Sequence, residues 1–200
     1  MGAGGAYDGG EDFGGGVVRL VLASASPRRR ELLAQAGFVF EVRAADVDET
    51  LRVGETPVEY VRRLALEKAR AVAALVGDVV VIGADTTVVL EGEVLGKPED
   101  VADAERMLRR LSGRTHQVHT GIAVGHGEMC RSHVETTDVT FREIEEEELG
   151  VYLASGDAMD KAGAYGIQGY AARWIPRIDG DYFNVVGLPV SAVVRLLGEV

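Results

Sequence analysis

Three consecutive arginines follow a short apolar run near the start of the chain. The sequence LASASPRRRELL runs from Leu22 to Leu33. Ser26 and Pro27 are typical of the cap and first position of a helix. Because a helix N-terminus favours anions, arginines in its first turn oppose the helix dipole unless an anion binds between them. The arrangement predicts an anion site, with phosphate as the leading candidate.

A carboxylate interrupts the most apolar of the predicted strands. Asp85 lies in VIGADTTVV, which runs from Val81 to Val89. An ionised carboxylate in a core strand is costly without compensation. Asp85 could cap a turn or pair with a structural arginine, or it could bind a metal or orient water. Gly83 favours the functional interpretation, because a strand glycine lets a ligand or another backbone approach closely.

An acidic loop and two lysines extend this pattern. Residues 46–50, Asp-Val-Asp-Glu-Thr, offer oxygen ligands, and a hard cation such as Mg²⁺ binds one or two carboxylates together with phosphates and water. Glu49 is the predicted ligand, although a solvated acidic turn is the simpler interpretation of the loop. Lys68 lies near an apolar helix face and Lys97 lies in a tight Gly-Lys-Pro turn. Each could extend to solvent, but together with the arginines they indicate a metal and polyphosphate site.

A glycine-rich segment could approach a ligand closely. DKAGAYGIQG occupies residues 160–169, and the Gln168 amide can both donate and accept hydrogen bonds. It could read the edge of a nucleobase, or it could face solvent.

Other catalytic arrangements are not supported. His116 and His119 are three apart on a predicted strand, so they face opposite sides; we predict exposed histidines and no zinc site. Ser24, Ser26 and Cys130 lack an evident neighbouring base, which argues against a covalent nucleophile. No GxxxxGK[ST] motif occurs in the chain.

Strands and helices alternate along the chain. Strands are predicted at residues 17–23, 38–42, 78–90, 94–95, 116–124, 132–141 and 173–178. Helices are predicted at residues 27–37, 57–75, 101–111, 145–154 and 189–197. Because the hairpins exclude a purely parallel sheet, the expected fold is α/β with a mixed, partly antiparallel sheet.

Composition limits the classes of protein that remain. The chain has 200 residues, a net charge of -11 and one cysteine. We expect one domain over residues 17–200 and a disordered, non-secretory extension over residues 1–16. The acidity argues against nucleic acid binding, and no apolar run reaches the roughly 18 residues of a membrane span. The single cysteine suits a reducing, cytoplasmic location.

The chain resembles the Maf family of nucleoside triphosphate pyrophosphatases, once called septum formation inhibitors. The resemblance rests on LASASPRRRELL, VIGADTTVV, GEVLGKP, MLRRLSGRTHQVHTG, DKAGAYGIQG and GDYFNVVGLP in order. It implies hydrolysis of the bond between the α and β phosphates with a divalent metal cation, Mg²⁺, Mn²⁺ or Co²⁺. It also implies two lobes around a cleft, as in inosine triphosphatase, and a possible homodimer.

The resemblance further implies roles for individual residues. Asp85 matches the proton acceptor of the family, and Arg28, Thr86 and Gln168 match positions associated with substrate choice. Other matched active-site positions are Ser24, Arg29, Glu49, Lys68 and Lys97. DKAGAYGIQG is similar to the branch that acts on dTTP and UTP, whereas the branch that prefers 7-methyl-GTP differs there.

A mechanism follows from these assignments. Arg28, Arg29, Lys68 and Lys97 are expected to hold the triphosphate, with a metal at Glu49 and Asp85. Asp85 would activate water for in-line attack. Two alternatives remain open: a nucleotidyltransferase, which needs a second substrate, and a nucleotide-binding regulator of cell division or septum formation with little turnover.

Overall fold

The computed structural model describes residues 19–200, so the predicted extension over residues 1–16 lies outside the described residues. Residues 19–200 form one seven-stranded mixed sheet and six α-helices. The strands are β1 (Leu20–Ala23), β2 (Glu41–Val42), β3 (Val80–Leu90), β4 (Glu93–Leu95), β5 (Thr115–His126), β6 (Met129–Thr140) and β7 (Arg177–Asp179). The prediction of an α/β fold with a mixed sheet is confirmed.

The helices separate into long and short elements. They are α1 (Pro27–Gln35), α2 (Pro57–Val76), α3 (Val101–Leu111), α4 (Glu146–Ser155), α5 (Tyr182–Val186) and α6 (Val190–Leu197). Two 3₁₀ turns lie at Ala162–Ala164 and Tyr170–Trp174. None of the helices within residues 19–200 is long and apolar enough to cross a membrane.

The sheet has an interruption beside its central strand β3. The strand order is β2-β1-β3-β5-β6-β7, with β4 also paired to β3. On one side, β3 pairs in parallel with β1 as far as Gly83 and then with β4 from Val88 onward. Residues 84–87 between them pair with β5 on the other side only. The sheet therefore has a gap on one side of residues 84–87, where β3 has no neighbouring strand among the described residues.

Two glycines bring α2 unusually close to the sheet. A Cβ added at Gly83 would lie 2.2 Å from the Ala65 carbonyl oxygen, and one added at Gly121 would lie 2.2 Å from that of Val61. Side chains at these positions would push the helix outward. The sequence predicted that Gly83 lets either a ligand or another backbone approach closely. The structure shows the backbone of α2 at this position.

Hydrophobic clusters on both faces of the sheet hold these elements in place. One face packs against α2, and the other packs against α1 and α6. A third cluster joins α3 and α4 to the far halves of β3, β5 and β6 around the fully buried Trp174. The strands and helices around the gap are therefore held in place by these three hydrophobic clusters.

Some local predictions are wrong. Residues 173–178 were expected to form a strand, but Tyr170–Trp174 is a 3₁₀ turn because the Trp174 ring packs edge-on against Tyr152 in the core. Only Arg177–Asp179 pairs with β6. Helix α5 was not predicted, because its five residues, capped by Asp181, are too few to show a periodic pattern.

The two strand histidines are buried, which corrects the prediction that they are exposed. His116 is 2% exposed and His119 is 5% exposed. Helix α2 covers one face of β5 and aromatic residues cover the other, so neither face of this strand is open.

Candidate active site

The gap in the sheet opens into a cavity of about 560 Å³. Its walls come from the end of β1, the first turn of α1, the acidic loop, α2, the middle of β3, β5, the turn after β4, the segment 160–169 and the end of α5. Each site residue predicted from the sequence lines it: Ser24, Arg28, Arg29, Glu49, Lys68, Asp85, Thr86, Lys97 and Gln168. These nine residues come from seven separate segments of the chain.

Asp85 and Lys68 form a buried ion pair in this cavity. The Lys68 Nζ donates to Asp85 Oδ1 at 2.7 Å and lies 2.6 Å from Glu49 Oε1. Asp85 and Lys68 are each 8% exposed. Burial raises the pKa of Asp85, and the charges of Lys68 and Arg29 oppose that rise. A single ammonium therefore links two carboxylates.

The close approach of α2 explains this pair. Gly83 and Asp85 lie on the same face of β3, because side chains alternate along a strand. Ala65 and Lys68 lie on the same face of α2, because residues three apart are neighbours on a helix. With Ala65 packed against Gly83, Lys68 comes directly over Asp85.

The Arg29 guanidinium fills the interruption in the sheet. Its Nη1 donates to the Ala84 carbonyl at 2.9 Å and to Ser24 Oγ at 3.1 Å. Its Nε donates to the Gly187 carbonyl at 2.8 Å and its Nη2 to Thr86 Oγ1 at 2.9 Å. Four of its five N–H donors are thus engaged within the protein. Arg29 organises the cavity wall and keeps one donor for a ligand.

Thr86 offers a ligand an acceptor rather than a donor. Its Oγ1 accepts from Arg29 and lies 2.9 Å from the Thr120 Oγ1, which itself donates to the Asn184 carbonyl at 3.1 Å. The hydrogen of Thr86 is therefore directed at Thr120 or at the Gly187 carbonyl, 3.4 Å away. Only a lone pair remains for the cavity.

A second charged cluster lies at the mouth of the cavity. Arg28 Nη1 donates to Asp160 Oδ2 at 3.0 Å, and the Lys161 Nζ donates to Asp160 Oδ1 at 2.6 Å. Asp160 has 61% of its side chain exposed. Sequence reasoning missed both Asp160 and Lys161, although they begin the glycine-rich segment that it singled out.

Lys97 and Gln168 line the cavity without a hydrogen bond or ion pair to the other residues in the range 19–200. Both are exposed. Lys97 contributes a positive charge near Glu49. Burial alone would raise the pKa of Glu49, but the positive charges of Lys68, Lys97 and Arg29 outweigh burial and lower this pKa. These two side chains are available to a ligand.

The acidic loop is held by an arginine that the sequence analysis did not consider. Arg63 on α2 pairs with Glu55 and Glu67, and its Nη2 donates to the Thr50 carbonyl at 3.1 Å. Asp48 accepts from the Thr50 backbone N–H, as expected of a turn. Of the loop's acidic residues, only Glu49 lines the cavity.

The buried His116 supports the wall on the side of the glycine-rich segment. Its Nε2 lies 2.7 Å from the Tyr165 hydroxyl, and its Nδ1 has no partner within residues 19–200. Burial lowers the pKa of His116 to about 4. The imidazole is therefore neutral near pH 7, and Tyr165 is anchored directly before Gly166.

Glu49 and Asp85 have the chemistry of ligands for a hard divalent cation. Their oxygens converge on the Lys68 Nζ, so one small cation could contact both. Within residues 19–200 no group of three or more His, Cys, Asp or Glu side chains is arranged around a metal position. The protein would supply two carboxylates, and substrate phosphates and water would complete the coordination.

The cavity has the features of a site for phosphate-bearing ligands. It combines cations from four segments with a helix N-terminus and a buried carboxylate, and its volume is that of a small-molecule site. The model of the Maf family, described as Maf-like protein, matches residues 19–200. The chain belongs to the Maf family.

Curated relatives are similar in sequence to this chain over almost their full length. A dTTP/UTP pyrophosphatase of Koribacter versatilis is 54% identical over 89% of this chain and 92% of its own. Relatives with the same name in Hahella chejuensis and Symbiobacterium thermophilum are 51% and 53% identical over 92% of this chain and 93% and 94% of theirs. A crystal structure of a Vibrio cholerae protein has a TM-score of 0.34 at 10% identity over 70% of this chain and 74% of that one, too low to inform the fold.

Proposed function

We propose that this protein is a nucleoside triphosphate pyrophosphatase that hydrolyses dTTP and UTP to the monophosphate and pyrophosphate. The observation that carries the proposal is a buried carboxylate, Asp85, in a cavity whose other charged side chains are mostly cations. Relatives near 50% identity bear the name dTTP/UTP pyrophosphatase, which supports the same activity here.

The triphosphate would lie against the cationic walls of the cavity. Lys97 reaches the cavity from the turn after β4 and has no ion pair or hydrogen bond to the other described residues, 19–200. Four of the five Arg29 N–H donors are engaged within that range, which leaves one for a ligand. Lys68 can reorient one of its N–H bonds from a carboxylate to a phosphate oxygen. Arg28, expected from the sequence to hold phosphate as well, lies at the mouth and could equally contact the base.

Asp85 would act on the attacking water. A carboxylate whose pKa burial raises is a better proton acceptor than an exposed one, so Asp85 can take a proton from water as the oxygen attacks phosphorus. Lys68 holds the carboxylate in place and stabilises its negative charge. A divalent cation at Glu49 and Asp85, Mg²⁺, Mn²⁺ or Co²⁺, would neutralise charge on the leaving pyrophosphate.

The base would lie toward the glycine-rich segment. Gln168 can donate and accept, and Thr86 presents an acceptor, so both could contact a nucleoside. The relatives' names support pyrimidine triphosphates over the 7-methyl-GTP of the other branch.

The experiment that tests this function supplies dTTP alone with Mg²⁺, Mn²⁺ or Co²⁺ and measures dTMP and pyrophosphate. Equimolar release of both is expected. A nucleotidyltransferase would release pyrophosphate only with a second substrate, and a regulator of division would bind dTTP without turnover. Either result would overturn the proposal.

Several broader expectations belong to the same proposal. They are a two-lobed architecture like that of inosine triphosphatase, a homodimer, a cytoplasmic location, and a dispensable extension over residues 1–16. Size-exclusion chromatography with light scattering tests the dimer. Activity of a chain starting at Val17 tests the extension.

A further inference from the structure

The loop that carries Glu49 is held by side chains of α2 at three consecutive backbone carbonyls. The segment between β2 and α2 forms neither strand nor helix, so no ladder of backbone hydrogen bonds fixes it. The Tyr60 hydroxyl donates to the Glu49 carbonyl at 2.9 Å. Arg63 Nη2 donates to the Thr50 carbonyl at 3.1 Å, and its Nη1 lies 3.5 Å from the Asp48 carbonyl oxygen. The backbone on both sides of Glu49 is therefore tied to one helix.

Arg63 is itself fixed by two carboxylates. Its Nε and Nη2 donate to the two oxygens of Glu55 at 2.6 Å and 2.9 Å, and its Nη1 donates to Glu67 at 3.1 Å. A two-point pair of this kind sets orientation as well as distance. The hydrogen bonds from Arg63 lower the pKa of Glu55 to about 2, so the pair stays ionised at neutral pH. All five N–H donors of Arg63 thus face acceptors.

Tyr60 and Arg63 differ in their relation to the cavity. The Tyr60 side chain lines the cavity, and burial raises its pKa to about 12, so its hydroxyl keeps the proton that it donates. Arg63 does not line the cavity. An effect of Arg63 on binding in the cavity must therefore pass through the loop.

The same helix also holds the side chain of Glu49. Lys68 follows Tyr60 by two turns on one face of α2, and its Nζ lies 2.6 Å from Glu49 Oε1 and 2.7 Å from Asp85 Oδ1. The Glu49 side chain is otherwise 53% exposed. An exposed carboxylate on an unanchored loop would lose conformational freedom when it bound a cation, and that loss would weaken binding.

We infer that Arg63 is a positioning residue for the divalent cation: it fixes the acidic loop so that Glu49 faces Asp85, and it thereby sets the affinity for the metal. Tyr60 assists by holding the Glu49 carbonyl. Because Arg63 lies outside the cavity, it contributes no ligand. This inference rests on the proposed function, since it concerns the cation of that reaction.

The direct test titrates Mn²⁺ into the full chain without nucleotide and measures free Mn²⁺ by electron paramagnetic resonance. Arg63→Met should raise the Kd for Mn²⁺ by about 10-fold or more, because loss of a group that orients a metal ligand typically costs 10- to 100-fold in affinity. Arg62→Met is the matched control. Arg62 is the preceding residue on α2, is exposed and makes none of these contacts, so its variant should bind Mn²⁺ as the wild type does.

Tyr60→Phe tests the loop anchor with a smaller change to the fold. It removes one hydroxyl and keeps the ring, so the Kd for Mn²⁺ should rise by about 2- to 10-fold, the size of one hydrogen bond. Urea unfolding shows whether each variant is folded under the titration conditions. If Arg63→Met does not fold, Tyr60→Phe decides the question, and an unaltered Kd in that variant would overturn the inference.

A double-mutant cycle separates positioning of Glu49 from a general structural role. Glu49→Gln removes the charged ligand, so Arg63→Met should change the Kd for Mn²⁺ little further in that background. An equal rise in both backgrounds would show that Arg63 does not act through Glu49 and would overturn the inference. A wild type that binds Mn²⁺ no more tightly than Glu49→Gln would overturn it too.

Turnover of dTTP at increasing Mn²⁺ separates this inference from the proposed function. Arg63→Met should raise the Mn²⁺ concentration that gives half-maximal rate, while kcat at saturating Mn²⁺ stays close to that of the wild type. A lower kcat with an unaltered Mn²⁺ dependence would count against positioning. If the Mn²⁺ cycle gave the expected result but the wild type released no pyrophosphate from dTTP, only the proposed function would fail. If dTTP were hydrolysed but Arg63→Met bound Mn²⁺ like the wild type, only the inference would fail.

Discussion

Two charged clusters share one cavity but differ in burial. The inner cluster contains Asp85, Lys68 and Glu49, with its central ion pair only 8% exposed. The mouth cluster contains Arg28, Asp160 and Lys161, around a carboxylate that is 61% exposed. Both combine carboxylates with cations, but the inner cluster has two carboxylates around one ammonium and the mouth cluster has two cations around one carboxylate. Burial changes the proton affinity of a carboxylate, which suits chemistry, whereas exposure leaves an ionised acceptor that suits recognition.

Removing one partner of the inner ion pair should have the largest effect on the free energy of unfolding. Lys68→Met leaves the Asp85 carboxylate buried without its partner, so unfolding free energy should fall by about 3–5 kcal/mol. The double variant with Asp85→Asn should recover much of this loss, because no buried charge then remains. Urea unfolding of the two singles and the double measures this coupling. A double variant no more stable than Lys68→Met would contradict the buried pair.

Asp85→Asn alone tests whether the inner carboxylate does chemistry. It should lower kcat by about 100-fold or more, the usual minimum contribution of a general base. Initial rates of pyrophosphate release from dTTP measure this. Asp138→Asn, on β6 and outside the cavity, is the control and should stay near wild type. Near-normal turnover of Asp85→Asn would remove its assigned role.

Gly83→Ala tests whether close packing of α2 makes the inner cluster. The added Cβ would lie 2.2 Å from a backbone carbonyl and must displace the helix. Stability should fall by about 1–3 kcal/mol, the typical cost of overpacking, and activity should fall with it. Gly150→Ala on α4 has open space and should be neutral or slightly stabilising. Thermal melts of the two variants measure this difference. Equal melting temperatures for Gly83→Ala and Gly150→Ala would show that the close approach of α2 is unimportant.

His116 supports the mouth side and should make stability depend on pH. Its pKa is about 4 in the folded protein and 6.5 ordinarily, so the unfolded chain binds the proton first as pH falls. Stability is thus complete above about pH 6.5 and should drop by about 2 kcal/mol by pH 5. Urea midpoints for wild type and His116→Gln should show a flatter profile in the variant.

Gln168→Ala should have the smallest effect of these variants. It should change the preference among nucleobases and leave the chemical step almost unaltered. We expect the ratio of dTTP to dGTP turnover to shift by about 5- to 10-fold, the size of one lost hydrogen bond, while kcat for dTTP changes less. An unaltered ratio would exclude Gln168 from base selection.

Particular residues show how far the sequence could be interpreted. The helix over residues 101–111 was predicted to the residue, because its apolar spacing is regular and Asp100 caps it. The short α5 and the 3₁₀ turn at Tyr170–Trp174 were not predicted, because they are too short to show a period and are held by tertiary contacts. Asp160 was overlooked because an exposed loop aspartate carries no distinctive pattern.

By itself, the sequence determined the alternating strands and helices, the capped arginine helix, the buried strand aspartate and the family. These depend on local periodicity, capping chemistry and motif order. Only the tertiary structure decided which charges meet. Lys68 pairs with Asp85 because Gly83 admits a helix, and Arg29 is largely engaged because the sheet is interrupted beside Ala84. Arg28 on α1 meets Asp160, which lies 132 residues later in the chain. Periodicity reports the face of an element, but the partner on that face depends on packing between segments distant in the chain.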